Sequence, residues 1–307
     1  MKKKNILIIF LIAVIIMLSG CSGSSPESEA PLRDSTPKVL IPKADGDAVF
    51  GDSVASIDGS NTDQGYVMVS FNDDCEKVIV RITGPDTVQY TYVLPDRKEY
   101  RTFPLSAGDG SYTVEIMQGV GGTSYVLAAS ATLDVSLENE FLPFLYPNQY
   151  SMITPDSKAV KKAEELAEDA HSDLEVVTNI YHFVIENIEY DTEKAKSISA
   201  GQITAYIPDV DRALEEKKGI CFDYASLMTA MLRSQGIPSK LEVGYAGESL
   251  HAWINTYIDE IGWVDKIIRF DGESWSLMDP TLGANNDKSS VGQYMGDGEN
   301  YTLKYSY

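Results

Sequence analysis

Cys221, His251 and Asp279 follow one another along the chain at intervals of about thirty residues. A thiol, an imidazole and a carboxylate can together run nucleophilic catalysis. The thiolate attacks a carbonyl carbon, the imidazole carries the proton, and the carboxylate holds the imidazole in one tautomer. Cys221 opens an amphipathic stretch in which Ala225, Met228, Met231 and Leu232 share its stripe, and Gln235-Gly236-Ile237-Pro238 ends it. At a helix N-terminus, unpaired N–H groups and the positive end of the macrodipole favour a thiolate, and the same N–H groups can hold the oxyanion that attack creates. Taken alone, Cys221 equally suits a small buried hydrophobe.

His251 and Asp279 need strands to position them. Residues 241–245 and 250–258 read as a hairpin around Ala246-Gly247-Glu248-Ser249, with His251 near the start of its second strand. Alternation puts His251, Trp253, Asn255 and Tyr257 on one face and Ala252, Ile254, Thr256 and Ile258 on the other, which predicts a cleft wall backed by core. Trp275, Leu277 and Asp279 share a face of a short strand that Pro280 terminates. Antiparallel pairing of that strand with the histidine strand sets Asp279 beside the His251 ring, and it requires residues 259–272 to form an excursion. An isolated histidine also suits a hydrogen-bonded structural role, and Asp-Pro a plain turn.

Five blocks in this order resemble the transglutaminase-like superfamily: Gly219-Ile220-Cys221-Phe222-Asp223-Tyr224-Ala225, Leu232-Arg233-Ser234-Gln235-Gly236-Ile237-Pro238, Gly244-Tyr245, His251-Ala252-Trp253 and Asp279-Pro280-Thr281. The resemblance covers residues 150–307, and Asn187-Ile188-Glu189-Tyr190-Asp191 is similar to the segment that precedes the core in bacterial members. It implies an α+β, papain-like core with the nucleophile helix packed on an antiparallel sheet. It further implies Cys221 as nucleophile, His251 as base and then acid, Asp279 as the orienting carboxylate, and a thioester resolved by an amine or by water. The superfamily holds cross-linking enzymes, peptidases, deglycosylating amidases and inactive members. A cysteine acyltransferase or hydrolase acting on protein, peptide or cell-wall peptide is therefore expected, against a catalytically idle surface binding protein or a cysteine peptidase. Some members complete the oxyanion hole with an upstream tryptophan, whereas Trp253, Trp263 and Trp275 here all follow the histidine. Tyr190, Gln202 and Tyr206 stand in place for that role by position, with Trp253 in the cleft, and each also suits a structural role. Asp223 is expected to brace the helix start. No cofactor or metal is implied, because the acidic turns at 58–63 and 297–299 lack the ligand spacing of a calcium loop.

The rest of the chain must carry this site. Lys2, Lys3 and Lys4 precede an apolar run over residues 6–18 that is too short to span a bilayer comfortably, which predicts a signal peptide over 1–20. Leu18-Ser19-Gly20-Cys21 resembles a bacterial lipobox, which implies lipidation of Cys21, membrane attachment and an extracytoplasmic location. Residues 21–43, rich in Ser, Pro and acidic side chains, read as a disordered tether. Turn-punctuated runs at 66–71, 78–82, 90–94, 112–117 and 125–135 predict an immunoglobulin-like β-sandwich over 44–140, acting as a spacer or binding module. Phe141-Leu142-Pro143-Phe144-Leu145-Tyr146-Pro147 suits a buried crossing into the catalytic domain, 141–307, where 157–169, 174–188 and 209–216 have helical spacing. A formal charge of −21 argues against nucleic acid as a partner. Besides Cys21 only Cys75 and Cys221 remain, and two thiols are expected rather than a bridge across the two domains. Oligomeric state leaves no mark on the sequence.

Overall fold

The computed structural model describes residues 31–75, 77–95, 98–259, 261–264, 268–270, 275–277 and 301–307. The leader with Cys21, and Asp279, lie outside these residues. Strands come first. β1 (Val49–Gly51), β2 (Ala55–Asp58), β3 (Tyr66–Phe71) and β6 (Arg101–Pro104) form one antiparallel sheet in the order β1-β2-β3-β6. A second contains β4 (Val78–Thr83), β5 (Gln89–Val93), β7 (Gly110–Gly121) and β8 (Ser124–Val135) in the order β5-β4-β7-β8. β4 shows why: Val78, Val80 and Ile82 are buried while Ile79, Arg81 and Thr83 are half-buried, the period-2 pattern of a strand with one face on a core. Val67, Val69, Phe71, Val80, Ile82, Val114 and Ile116 meet in that core.

Helices follow: α1 (Lys158–Ala167), α2 (Asp173–Asn187), α3 (Thr192–Ser199), α4 (Val210–Glu216) and α5 (Cys221–Ser234). Asp173 and α2 begin where the Ser172 hydroxyl accepts from the Glu175 N–H, and Asp191 and Asp209 cap α3 and α4 in the same way. From Asp223 to Ser234 every residue of α5 is buried, which marks it as the central helix of this half. It packs against α1, α2 and α4 and against β11 (Ser239–Ala246) and β12 (Ser249–Ile258). Those two strands lie within a sheet of order β13-β12-β11-β16, completed by β13 (Gly262–Val264) and β16 (Tyr301–Ser306).

Among the described residues the Trp275 strand pairs with its upstream neighbour and not, as expected, with the histidine strand. β15 (Trp275–Leu277) pairs with β14 (Ile268–Phe270) in a separate two-stranded ladder, and β12 is flanked by β11 and β13. A local partner a few residues upstream costs less loop entropy than a return to the histidine strand. Part of the expected excursion, residues 262–264, instead extends the main sheet as β13.

The two halves belong to one compact unit, Leu32–Tyr307. Tyr92 of the strand-rich half lies 5.7 Å from Tyr307 and 5.8 Å from Tyr150, and Tyr150 lies 5.1 Å from Phe222 in α5. The Ser106 hydroxyl donates to the Ser306 carbonyl at 2.7 Å. In the 141–147 segment Pro143 and Phe144 are buried, and Phe144 meets Trp263 edge-on at 5.5 Å. The stretch read as a disordered tether is laid against the molecule from Arg33 onward. Arg33 donates to Asp173 and to the Gln235 carbonyl, its N–H donates to Ala170 O, and the Lys38 N–H donates to Ser234 O. Low apolar content hid this because the contacts are polar.

Arg233 fastens the end of α5. It is 1 % exposed, and burial pulls its guanidinium down to about 9, so it stays charged at neutral pH. It donates to Ser239 O, Tyr146 O, Ser151 Oγ and Tyr307 O, tying the helix to β11, the crossing segment and the end of β16.

Candidate active site

Cys221 is the first residue of α5 and is half-buried. The chain ahead of it is held by a short parallel ladder in which β9 (Glu189–Tyr190) pairs with β10 (Lys218–Gly219), Tyr190 lying opposite Gly219. The Asp191 N–H donates to Gly219 O at 2.8 Å, and the Tyr224 hydroxyl donates to Ile188 O. The segment 187–191, noticed in the sequence only for its resemblance, is thus the splint that fixes the approach to Cys221. Asp191 also accepts from the Lys194 N–H, which with Lys218 nearby holds its carboxyl below the ordinary value.

Asp223 braces the helix start as expected. Its Oδ2 accepts from the Ile220 N–H at 2.8 Å, one of the donors a helix leaves unpaired at its first turn. The same carboxylate, 2 % exposed, accepts from the Tyr206 hydroxyl at 2.5 Å and from Lys194 Nζ at 3.3 Å. Gly219 makes this geometry possible, since a Cβ there would lie 2.5 Å from the Asp223 Cβ. A cavity of about 270 Å³ opens beside this group, lined by Tyr206, Lys194, Asp223, Ile203, Ile207 and Arg212 among others.

His251 is half-buried on β12, the strand against which α5 packs, so the structure brings the cysteine's helix and the histidine's strand together. His251 lies opposite Gly244 of β11, and its ring centroid is 6.2 Å from that of Tyr301 on β16. Gly244 admits β16 this closely: a Cβ there would stand 2.0 Å from Thr302 O and 2.8 Å from the Trp253 ring. Tyr301 meets Trp253 edge-on at 5.1 Å. The histidine face is thus more covered than an open cleft wall. Trp253 and Asn255 are buried, and Phe141 lies 4.4 Å from Tyr257. Tyr301 carried no signal in the sequence because its ring partners, His251 and Trp253, lie on a strand about fifty residues upstream.

The three candidates for an oxyanion donor and the cleft residue Trp253 separate. Tyr190 lies in the splint, opposite Gly219. The Tyr206 hydroxyl is given to Asp223. The Trp253 indole N–H donates to Glu242 Oε2 at 2.8 Å inside the sheet. Gln202 is exposed in the turn after α3.

A helix that opens on a cysteine, packed against a strand that carries a histidine, defines the class of architecture. Residues 160–266 match the model of the Transglutaminase-like superfamily, and the chain contains a transglutaminase-like core. The chain is 29% identical to kyphoscoliosis peptidase of Mus musculus over 147 residues, 44% of this chain and 19% of that one. It is 32% identical to a UPF0252 protein of Methanocaldococcus jannaschii over 143 residues, 42% of this chain and 38% of the relative. The matches therefore span well under half the length of these relatives. Among solved structures, red sea bream transglutaminase aligns with a TM-score of 0.28 and 14% identity, covering 72% of this chain and 48% of that chain. A structure from Cytophaga hutchinsonii proposed to be a cysteine protease aligns with a TM-score of 0.39 and 17% identity over 84% of this chain and 78% of that one.

Proposed function

We propose that this protein is a cysteine-dependent acyl-transfer or amide-hydrolysing enzyme acting on protein or peptide, with Cys221 as nucleophile, His251 as base and then acid, and Asp279 as the orienting carboxylate. The observation that carries it is the half-buried Cys221 at the first position of a buried helix that packs on the His251 strand. Attack of the thiolate on an amide carbonyl gives a tetrahedral oxyanion. Collapse of that adduct expels the amine, which takes a proton from His251, and leaves a thioester. A primary amine or water, deprotonated by His251, then resolves the thioester into a cross-link or an acid. Hydrolysis has added support from a relative named as a peptidase.

The basic start, the apolar run over 6–18 and Leu18-Ser19-Gly20-Cys21 support lipidation at Cys21 and an extracytoplasmic, membrane-attached location. We take the strand-rich half as an immunoglobulin-like module that presents the core. Metabolic fatty-acid labelling that disappears in Cys21→Ser supports the anchor, and unlabelled wild type sinks it.

The activity is tested by offering the full chain a glutamine-bearing protein with a fluorescent primary amine, and in parallel a mixed peptide library read by mass spectrometry. Amine incorporation or cleavage that is lost in Cys221→Ala supports the enzyme and tells the acceptor. No turnover of either kind, with ligand retention by Cys221→Ala equal to wild type, leaves the surface binding protein.

A further inference from the structure

We infer that Lys194 and Tyr206 are positioning residues that neutralise the buried Asp223 carboxylate, so that this carboxylate braces the helix start without its charge opposing the Cys221 thiolate. The inference rests on Cys221 being the nucleophile. Asp223 stands two residues beyond Cys221 and is needed there: it alone among the described side chains is shown accepting from the Ile220 N–H. An anion in that place has a cost, because a like charge nearby disfavours ionisation of a thiol. Two donors answer it. Lys194 Nζ lies 3.3 Å from Oδ2 and 3.1 Å from the Tyr206 oxygen, and the Tyr206 hydroxyl donates to Oδ1 at 2.5 Å. Lys194 also sits 5.2 Å from the centre of the Tyr206 ring. The three polar groups thus form a closed triangle around a carboxylate that has almost no contact with water.

The backbone is bent to hold this triangle. Only four non-glycine residues among those described have positive φ, and two flank the group: Ala205 at 56°, immediately before Tyr206, and Lys217 at 51°, two residues before Gly219. Each is a strained conformation of the kind that persists where surroundings over-determine it. Burial, together with the bond to Asp223 and its charge, raises the Tyr206 hydroxyl well above its ordinary value, so it remains a donor throughout the working range.

The other charged groups around the helix start have partners of their own. Arg212 pairs with Glu216 at 2.8 Å and Lys218 with Asp191 at 3.6 Å. Asp209 accepts from the Arg212 N–H, and the strand that carries His251 packs against the helix. Lys194 is the cation paired with Asp223.

The test is the rate of iodoacetamide modification at Cys221 in the full chain, read by peptide mass spectrometry at pH 7 and pH 10, with thermal melting run on every variant. Lys194→Met is expected to slow modification at pH 7 by about three- to tenfold, the loss that an uncompensated carboxylate imposes at half to one logarithmic unit. The deficit should vanish at pH 10, where thiols are ionised in every variant. Lys194→Arg should keep the wild-type rate. The double variant Lys194→Met with Asp223→Asn should recover it at pH 7, since no charge is left to neutralise. A deficit that persists at pH 10, or that the double variant fails to recover, overturns the electrostatic role and leaves a packing one. If Lys194→Met melts early, Tyr206→Phe, which removes only the hydroxyl, replaces it with the same expectations. Wild-type Cys221 that is unmodified at both pH values overturns the nucleophile assignment itself, and this inference with it.

Discussion

At the scale of the residue, the account turns on a few atoms around the start of α5. Gly219 is the most exacting of them, because a methyl group there meets Asp223 rather than open space. Gly219→Ala should displace the carboxylate from the Ile220 N–H and cost about 1–3 kcal/mol, the usual range for overpacking a tight site. Denaturant unfolding measures this, and an unchanged midpoint would mean the helix start yields freely. The residue types at this site were legible in the sequence: Cys221 at a helix start and His251 on an alternating strand both stand where their contexts placed them. What could not be read was the use of Tyr206, whose hydroxyl is committed to a carboxylate seventeen residues away. Short-range pattern carries no record of such a pairing.

At the scale of the element, two features set the site's shape. Gly244 lets β16 approach β11, which brings Tyr301 to Trp253 and His251. In Gly244→Ala the new methyl would face a backbone carbonyl that cannot rotate away. The expected result is faster amide exchange across 301–306 with exchange in α5 unchanged, and equal exchange in both proteins would refute the close approach. Arg233 holds the other end of α5. Arg233→Met removes a buried cation and leaves four acceptors without it, for an expected loss of about 3–5 kcal/mol in urea unfolding. A loss under about 1 kcal/mol would show that the acceptors find other donors. Long periodic elements such as α2 and α5 were legible from apolar spacing. α3 was missed because Ala195 and Ile198 are its only aliphatic side chains, and it starts from an Asp191 cap rather than an amphipathic stripe. β2 and β6 are only 4 residues each, and β16 pairs with a strand more than fifty residues upstream.

At the scale of the whole molecule, the two halves are joined by tyrosines scattered through the chain, so the joint left no local signature. Tyr92, Tyr150 and Tyr307 form a mutual cluster with Tyr90 and Tyr305 at its edge. Burial raises the hydroxyls of Tyr92, Tyr112 and Tyr307 and pushes Tyr150 up to about 12. The folded state therefore keeps protons that the unfolded chain releases above about pH 10. Stability contributed by these tyrosines is complete below that pH and falls as pH rises toward and through the folded values, by about 1.4 kcal/mol per pH unit for each group. Urea midpoints at pH 9, 10 and 11 should be level up to about 10 and then drop. A level profile to pH 11 would mean that the cluster is wetter than its burial indicates. The same cluster predicts that residues 141–307 produced alone will be aggregated or only partly folded, because Tyr150 and Tyr307 would lose Tyr92. A monomeric fragment with a sharp melting transition would show the halves to be independent.

The central claim is that Cys221 is a nucleophile activated by His251, and it is met most directly by comparing wild type with His251→Ala for iodoacetamide modification at neutral pH, with Cys75 as the internal reference thiol. Modification at Cys221 should run at least about tenfold faster than at Cys75 in wild type, the sort of margin a poised thiolate provides, and most of that margin should be lost in His251→Ala. Equal rates at the two cysteines, or a Cys221 rate indifferent to His251, would contradict it.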